Sequence, residues 1–306
     1  MATRSIVTLG TSSQVPKKNR NHVGLFLRWD KEDILFDPGE GTQRQMITFG
    51  VPLNRIKKIF ITHFHGDHCL GLPGVIQRLS LHQISHPVDI IFPKSGEKHL
   101  ESLLSSAIFH NRITLRFIPV EKSGEIKLGG EIRVWAMELE HGVDTFGYKI
   151  ADKKQWNILP QRLPEGLDKK LIPSLKEKGW IEFKGKKLLL EEVAVEKEGQ
   201  SFAFCMDTRY CDSALELAKD ATVLICESTY LDEDRSLAQK YLHLTSKEAA
   251  RIASSSNAHL LVLMHFSQRY TQIFPFEREA REVFPKAVAA YDGMRIDLPC
   301  IKRRLS

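Results

Sequence analysis

Four side chains of types that commonly bind metal ions lie close together in the sequence: His63, His65, Asp67 and His68. An apolar run at residues 59–62 precedes them and is typical of a buried strand, and a glycine-containing turn and a helical pattern follow. If the start of the cluster is still extended, His63 and His65 point to the same side and can bind one ion together. Asp67 and His68 follow as the chain turns, where they can face a second ion.

This spacing predicts a centre that holds two metal ions. Imidazole and carboxylate groups bind zinc, and carboxylates also suit manganese or magnesium. Two ions about 3.5–4 Å apart stabilise both the attacking and the leaving oxygen of a hydrolysis. A histidine-rich surface loop is the alternative interpretation, but four ligand-type residues this dense at a strand end are not typical of a solvated face.

Three more ligand-type residues each follow an apolar segment: His141, Asp207 and His265. The strands that deliver them are predicted at residues 132–139, 201–206 and 259–264. Open sheets collect their ligands at the carboxyl ends of strands. Taken alone, His141 would be as often structural as functional.

A capping box predicts the start of a helix but leaves a neighbouring histidine unexplained. Thr245 is expected at the N-cap and Glu248 three residues later. His243 lies just before them. His243 is either a surface histidine without a specific role or a residue of the functional site.

Composition restricts the class of protein. The chain has 306 residues, 42% apolar and 27% charged, which is typical of a soluble globular protein. No stretch approaches the ~20 apolar residues of a membrane span. The net charge of +6 favours a polyanionic partner such as nucleic acid. The five scattered cysteines fit free thiols in a reducing cytosol, and Cys69 is expected to pack rather than to bind metal.

The regular pattern breaks down between residues 152 and 187. Basic residues outnumber acidic ones by ten to five in this segment, and three prolines interrupt any long helix. It is either a solvated insertion or a basic arm that grips RNA. Because no Gly/Ser-rich linker divides the chain, we predict a single domain over residues 1–306 with an inserted arm at about residues 152–187.

The pattern His-x-His-x-Asp-His after an apolar strand resembles the metallo-β-lactamase superfamily. Residues 16–21, which read Pro-x-Lys-x-Arg-Asn, resemble the substrate loop of the ribonuclease Z (tRNase Z) family. The matching motifs extend over nearly the whole chain, and they occur in the same order as in the family. The resemblance implies an α/β fold, the metallo-β-lactamase αββα sandwich with a protruding basic arm. The arm departs from one common version of the family because it has no Gly-Pro-rich tip.

The resemblance also implies roles for individual residues and two zinc ions per subunit, which Mn²⁺ or Mg²⁺ could replace. The implied metal ligands are His63, His65 and His141 at the first site, Asp67, His68 and His265 at the second, and Asp207 as the bridge. Asp67 would orient or deprotonate the attacking water, and His243, oriented by an acid, would protonate the departing oxygen. The implied substrate-binding residues are Pro16, Lys18, Arg20, Asn21 and Arg269. Asp37 is expected to orient a ligand histidine, unless it caps a helix.

The implied activity is removal of 3′ trailers from precursor tRNA by a zinc-dependent endoribonuclease. A hydroxide shared by two ions would attack the phosphodiester, leaving a 3′-hydroxyl on the tRNA and a 5′-phosphate on the trailer. The implied partners are precursor tRNA and a second copy in a homodimer, in the cytoplasm and with no membrane contact. Two alternatives remain: a small-molecule phosphodiesterase of the same fold, and a non-catalytic RNA-binding protein with a degenerate metal site.

Overall fold

Two large β-sheets form from the apolar segments of the chain. The computed structural model describes residues 4–129, 132–153, 155–197 and 199–298. The strands of the first sheet are β1 (Arg4–Gly10), β2 (Gly24–Trp29), β3 (Glu32–Phe36), β4 (Ile56–Phe60), β5 (Val88–Pro93), β6 (Leu115–Val120) and β18 (Arg295–Asp297). Those of the second are β7 (Gly124–Ile126), β8 (Ile132–Leu139), β9 (Thr145–Asp152), β14 (Ser201–Cys205), β15 (Val223–Glu227), β16 (Leu261–Met264) and β17 (Ala287–Ala289).

Each sheet combines antiparallel and parallel pairing. The first has the order β18-β1-β2-β3-β4-β5-β6, antiparallel from β18 to β3 and parallel from β3 to β6. The second has the order β17-β16-β15-β14-β9-β8-β7, parallel from β14 to β17. The central parallel strands β5, β14 and β15 are buried along their whole length, because helices or the other sheet cover both of their faces.

Aromatic side chains join the two sheets face to face. The ring of Phe36 in β3 lies 5.2 Å from that of Phe202 and 4.9 Å from that of Phe204, both in β14. Phe60 in β4 meets Tyr148 in β9 edge-on at 4.9 Å. Tilted and edge-on arrangements of this kind are the favoured ones for aromatic pairs.

The described helices include those that cover the two large sheets. They are α1 (Thr42–Thr48), α2 (Gly66–Cys69), α3 (Leu72–Leu81), α4 (Glu97–Leu104), α5 (Ile172–Lys178), α6 (Leu190–Val193), α7 (Asp212–Ala218), α8 (Arg235–Tyr241), α9 (Ser246–Ser255) and α10 (Phe274–Arg281). Apolar residues of α1, α3 and α4 pack with the first sheet, and those of α7, α9 and α10 pack with the second. The resulting layers are helix, sheet, sheet, helix, as the sequence predicts.

The chain forms two compact units. The first comprises the residues up to 127, residues 134–150 and those from 201 onward, and it carries the two large sheets. The second comprises residues 128–133 and 151–200. The arm expected at residues 152–187 falls within the range of this second unit.

The second unit has more regular structure than the sequence indicated. Strand β10 (Gln155–Ile158) pairs with β13 (Ala194–Lys197), and β11 (Trp180–Phe183) pairs with β12 (Lys186–Leu189). Lys184 and Gly185 turn between the latter two with positive φ, the backbone that a two-residue hairpin turn requires. Leu175, Ile181 and Leu190 belong to a small apolar core of this unit. Its apolar residues are dispersed along the chain, so no single periodicity revealed them.

Two helix ends differ from what their sequence patterns indicate. The pattern at residues 96–109 is helical throughout, but α4 ends at Leu104. Asp212 is of a residue type favoured at the N-cap, but the N-cap position of α7 is Cys211, which makes no capping hydrogen bond with its side chain. In contrast, the capping box at Thr245 is confirmed: its hydroxyl accepts from the Glu248 amide at 3.2 Å, and the Glu248 carboxylate accepts from the Thr245 amide at 2.9 Å.

Helices that would be long and apolar enough to cross a membrane are absent from the described part of the chain.

Candidate metal centre

The seven predicted ligands come together in two adjoining groups in the first unit. One group contains His63, His65, His141 and Asp207, and the other contains Asp67, His68 and His265. Within each group the potential ligand atoms all lie within 4.8 Å of one another. These residues follow strands of both sheets or lie in α2, directly after β4. The carboxyl ends of the strands therefore build one site, as expected for an open sheet.

Asp207 lies between the two groups and faces each with a different oxygen. Its Oδ2 is 3.6 Å from His63 Nε2 and 3.7 Å from His141 Nε2. Its Oδ1 is 3.3 Å from His68 Nε2 and 3.2 Å from His265 Nε2. This geometry suits a carboxylate that bridges two ions.

The donor atoms fit metal ions. Nε2 of His63 lies 2.9 Å from Nδ1 of His65, and the Nε2 atoms of His68 and His265 are 3.3 Å apart. Ring nitrogens at such distances share either a proton or a cation. The Oδ1 atom of Asp207 is buried and accepts no hydrogen bond of normal geometry, so it has an unused acceptor aimed into the centre. A cation between these atoms would satisfy them together.

The ionisation of two of these residues, Asp207 and His63, favours metal binding. Burial acts to raise the pKa of Asp207, but the imidazoles of His265 and His68 outweigh it and hold that pKa well below the usual range. Burial, together with the neighbouring His68, lowers the pKa of His63 well below the ordinary value. An ionised carboxylate and a neutral imidazole are the forms that bind a metal.

Asp37 contacts His68, one of the predicted ligand histidines, from behind. Its Oδ2 is 2.8 Å from Nδ1 of His68, and it accepts hydrogen bonds from the Thr62 amide and hydroxyl at 2.7 Å each. The alternative role as a helix cap is excluded, because the N-cap of α1 is Gly41. A buried carboxylate behind a ligand histidine fixes its tautomer and ring orientation.

Two further predicted ligands are held from behind by groups that the sequence did not reveal. The hydroxyl of Thr229 lies 2.9 Å from Nδ1 of His265. Nδ1 of His141 donates to the backbone carbonyl of Leu242 at 3.2 Å. Both contacts leave Nε2 of the ligand free to face the centre. Thr229 and Leu242 are far from their partners in the chain, so spacing alone could not identify them.

His243 stands at the edge of the centre with Glu227 behind it. Its Nδ1 lies 2.8 Å from Oε1 of Glu227, a fully buried carboxylate at the end of β15. Burial alone would lower the pKa of His243, but the Glu227 carboxylate raises it to about 9. Glu227 fits the orienting acid that the resemblance implies for His243. The sequence feature that could have identified Glu227 is its position at the end of an apolar strand, which it shares with Asp207.

A cavity of about 410 Å³ opens over the centre. Its walls include His65, His141, His243, Tyr230, Tyr241 and Arg269. Of the five predicted substrate-binding residues, only Arg269 lines it. The Arg269 guanidinium lies 5.4 Å from the ring centroid of Tyr230 and 3.3 Å from Oδ1 of Asp234. One wall of the cavity therefore carries a half-exposed positive charge.

The predicted substrate loop lies beside this wall and is tied to it. Arg20 is only 4% exposed, and its Nη2 donates to the carbonyl of Tyr270 at 2.5 Å. The Lys17 ammonium donates to the carbonyls of Gln268 and Tyr270 at 2.9 and 3.2 Å.

The remaining predicted loop residues take different positions. Pro16 and Lys18 are exposed. The side chain of Asn21 donates to the carbonyl of Glu40 at 2.7 Å, and its backbone amide donates to Asp292 at 2.7 Å. The loop therefore presents Lys18 to solvent and uses Arg20 and Asn21 for internal contacts.

Cys69 packs beside the centre, as expected. Its thiol donates to the carbonyl of His65 at 3.2 Å, and burial raises its pKa to about 12. A thiol held in its protonated form is a poor metal ligand. Cys205, Cys211 and Cys226 are also free and buried.

Comparisons with known proteins agree with this geometry. The model of the metallo-beta-lactamase superfamily matches residues 23–150, and that of the beta-lactamase superfamily domain matches residues 164–266. A ribonuclease Z of Nocardia farcinica is 44% identical over 98% of this chain and 99% of its own length. One from Protochlamydia amoebophila is 41% identical over 95% of this chain and 96% of its own.

A solved structure extends the likeness to three dimensions. The crystal structure of human tRNase Z, short form, matches with a TM-score of 0.71 and 25% identity over 97% of this chain and 100% of that one. The αββα sandwich expected from the sequence is thereby confirmed.

Proposed function

Because the chain belongs to the ribonuclease Z family of the metallo-β-lactamase superfamily, we propose that it removes 3′ trailers from precursor tRNA as a metal-dependent endoribonuclease. The observation that carries this proposal is the convergence of seven predicted ligands, Asp207 among them, in a chain 44% identical over 98% of its length to a ribonuclease Z. The products would be a tRNA with a 3′-hydroxyl and a trailer with a 5′-phosphate.

The proposed cofactor is a pair of zinc ions, for which Mn²⁺ or Mg²⁺ could substitute. His63, His65 and His141 would hold one ion, Asp67, His68 and His265 the other, and Asp207 both. When bound, the ions supply Lewis acidity at the phosphoryl oxygens and at the attacking water. The predominance of imidazole nitrogens in the first site favours zinc over magnesium.

Asp67 and His243 would carry the proton chemistry. Burial acts to raise the pKa of Asp67, but His68 and His265 hold it below the usual range, so Asp67 is ionised and can accept a hydrogen bond from the attacking water. His243 has Nδ1 directed to Glu227, which leaves Nε2 to protonate the departing 3′-oxygen. A pKa raised to about 9 keeps this histidine protonated near neutral pH.

The loop at residues 16–21 would contribute to substrate binding in two ways. Lys18 is exposed and can contact a phosphate directly. Arg20 is buried against the segment that carries Arg269, so it would position that cation rather than contact RNA. Pro16 and Asn21 would fix the shape of the loop.

The second unit would serve as the RNA-binding arm, within the single domain that the sequence predicts. Its hairpin carries Lys184, Lys186 and Lys187, and the Lys187 ammonium lies 4.7 Å from the exposed ring of Trp180. Such a surface would bind the shape and phosphates of an RNA rather than its base sequence. We further propose a homodimer, and a cytoplasmic location consistent with the buried free thiols.

Two other functions are less well supported. A small-molecule phosphodiesterase would use the same centre but would have no use for the basic hairpin or the 16–21 loop. A non-catalytic RNA-binding protein would not be expected to keep seven converging ligands together with a buried Glu227 behind His243.

The direct test is cleavage of a 3′-extended precursor tRNA, with and without a chelator, followed by mapping of both new ends. We expect one metal-dependent cut at the acceptor end, with a 3′-hydroxyl and a 5′-phosphate. An uncut tRNA together with turnover of bis-p-nitrophenyl phosphate would favour the small-molecule enzyme. An absence of turnover on both, with RNA still bound, would favour the binding protein.

A further inference from the structure

One aromatic ring at the mouth of the cavity has no part in the chemistry described above. Among the described residues, Tyr230 and Tyr241 are the tyrosines that line this cavity. Tyr230 is 8% exposed and faces the guanidinium of Arg269, whereas Tyr241 is 49% exposed. The ring of Tyr241 is thus a flat apolar surface in the wall of a cavity that has to accept RNA.

The backbone fixes Tyr241 next to the catalytic histidine. Tyr241 is the last residue of α8, and Leu242 after it has φ 57° and ψ 48°, a left-handed conformation that is uncommon for leucine. The Leu242 carbonyl accepts a hydrogen bond from His141 at 3.2 Å. His243, one residue further, is held by Glu227. Contacts on both sides therefore hold this kink in place.

A cation accompanies the ring. The Lys240 ammonium lies 5.2 Å from the ring centroid of Tyr241. An aromatic face beside a positive charge is the combination with which proteins bind unpaired nucleotides, because the base stacks on the ring and the charge attracts the phosphate. Nucleotides around a scissile bond at the end of an acceptor stem are unpaired and available for such stacking.

We propose that Tyr241 stacks on the base of the nucleotide whose 3′-oxygen departs, which becomes the last nucleotide of the product tRNA. This rests on the tRNA cleavage proposed above and on His243 as the proton donor to that oxygen. Because Tyr241 and His243 line the same cavity, the base attached to a ribose next to His243 enters the cavity whose wall carries the ring. Every base has a stacking face, so the contact fixes the position of the nucleotide without selecting its identity.

The test is a cycle that combines protein variants with modified substrates. The variants are Tyr241→Leu, Tyr241→Phe and, as the matched control, Tyr291→Leu, which changes a tyrosine that is 58% exposed and does not line the cavity. The substrates are an intact precursor tRNA and two versions with an abasic site, one directly 5′ and one directly 3′ of the scissile phosphate. The value of kcat/KM is measured for each pair, and melting curves verify that each variant is folded.

On the intact substrate we expect Tyr241→Leu to lower kcat/KM by roughly 5- to 100-fold, in keeping with the loss of one stacked base. Tyr241→Phe keeps the ring and stays within about twofold of the parent protein, as does Tyr291→Leu. On the 5′ abasic substrate, kcat/KM of the parent protein should fall by the same factor. The kcat/KM of Tyr241→Leu should be no lower on this substrate than on the intact one. On the 3′ abasic substrate, the effect of the abasic site on kcat/KM and the effect of Tyr241→Leu should multiply, as expected for independent contributions.

Three results would overturn the proposal: equal rates for Tyr241→Leu and the parent protein, an equal loss for Tyr241→Phe, or coupling to the 3′ instead of the 5′ abasic site. Each presupposes that the parent protein cuts the intact tRNA. A parent protein that fails to cut it would contradict the proposed function itself, so the two failures are distinguishable.

Discussion

At the residue scale, the site contains groups that contact the predicted ligands from behind. Asp37 faces His68, Thr229 faces His265, and the carbonyl of Leu242 faces His141. Each contact fixes which ring nitrogen points into the centre, and this predisposes the site to bind metal before any ion arrives.

Replacement of Asp37 by asparagine should weaken metal binding by about 10- to 100-fold, because the amide no longer supplies a charge to the outer nitrogen of His68. Equilibrium dialysis with zinc measures this. The matched control is Asp33→Asn, which alters another buried aspartate that is paired with Arg28 at 2.9 Å rather than with a ligand. Equal zinc affinity in the two variants would contradict the role of Asp37.

Replacement of His243 by alanine should lower kcat by roughly 10²- to 10⁴-fold, the usual contribution of a general acid. A precursor whose departing 3′-oxygen is replaced by sulfur tests the reason for the loss. Sulfur leaves without a proton, so His243→Ala should approach the parent rate on that substrate while remaining slow on the ordinary one. A deficit of the same size on both substrates would show that His243 acts in some other way.

At the element scale, strand ends were predictable and the connections between elements were less so. Asp207 and His265 were identifiable because each ends a short apolar run, and Thr245 because a capping box has a sequence signature. Glu227 also ends an apolar strand, but nothing local connects it with His243, sixteen residues further on. The strand β18 and the helices α8 and α10 are short or largely polar, so their sequences gave no clear periodicity.

The contact between the substrate loop and the last part of the chain is another feature that the sequence concealed. Asp292 accepts hydrogen bonds from the backbone amide of Asn21 at 2.7 Å and from the hydroxyl of Thr11 at 2.8 Å. Gln45 donates to it at 3.0 Å. One carboxylate thereby links the loop after β1, the substrate loop and α1 over a long distance in sequence.

Asp292 makes stability depend on pH. Burial raises the pKa of its carboxyl to about 6 despite these hydrogen bonds. Since this exceeds the value of about 3.9 in an unfolded chain, the folded state holds the proton more tightly, and the associated stability is lost as the pH rises from about 4 through 6.

Between about pH 4 and about pH 7, the parent protein should therefore lose about 2 kcal/mol of unfolding free energy relative to Asp292→Asn. Urea unfolding of both proteins at the two pH values measures the difference. The difference between the two proteins cancels the contributions of all other titrating groups, because both proteins contain them. A parallel pH dependence in the two proteins would contradict the raised pKa.

At the scale of the whole molecule, cations that could meet an RNA lie in both units. The net charge of +6 includes the lysines of the β11–β12 hairpin as well as Lys18 and Arg269. Composition predicted a polyanionic partner, and the histidine cluster predicted the chemistry. The small core of the second unit was not predictable, since its apolar residues come from several short elements separated by polar turns.

The double variant Lys186→Ala/Lys187→Ala should raise KM for precursor tRNA and flatten its salt dependence, by a slope of about 0.7–0.9 for each phosphate that the hairpin no longer neutralises. The control is Lys31→Ala/Lys98→Ala, which removes two exposed lysines of the first unit. Measurement of KM at several salt concentrations distinguishes the hairpin double variant from the control double variant. An unchanged salt slope in the hairpin variant would exclude the hairpin from RNA binding.

Metal reconstitution shows whether a two-ion centre that includes Asp207 cleaves precursor tRNA. The metal-free protein is titrated with zinc while bound metal and the rate of tRNA cleavage are measured on the same samples. We expect cleavage to reach its maximum at about two bound ions per chain, and Asp207→Asn to lose both the second ion and the activity. Full cleavage with one ion per chain, or by the metal-free protein, would contradict this expectation.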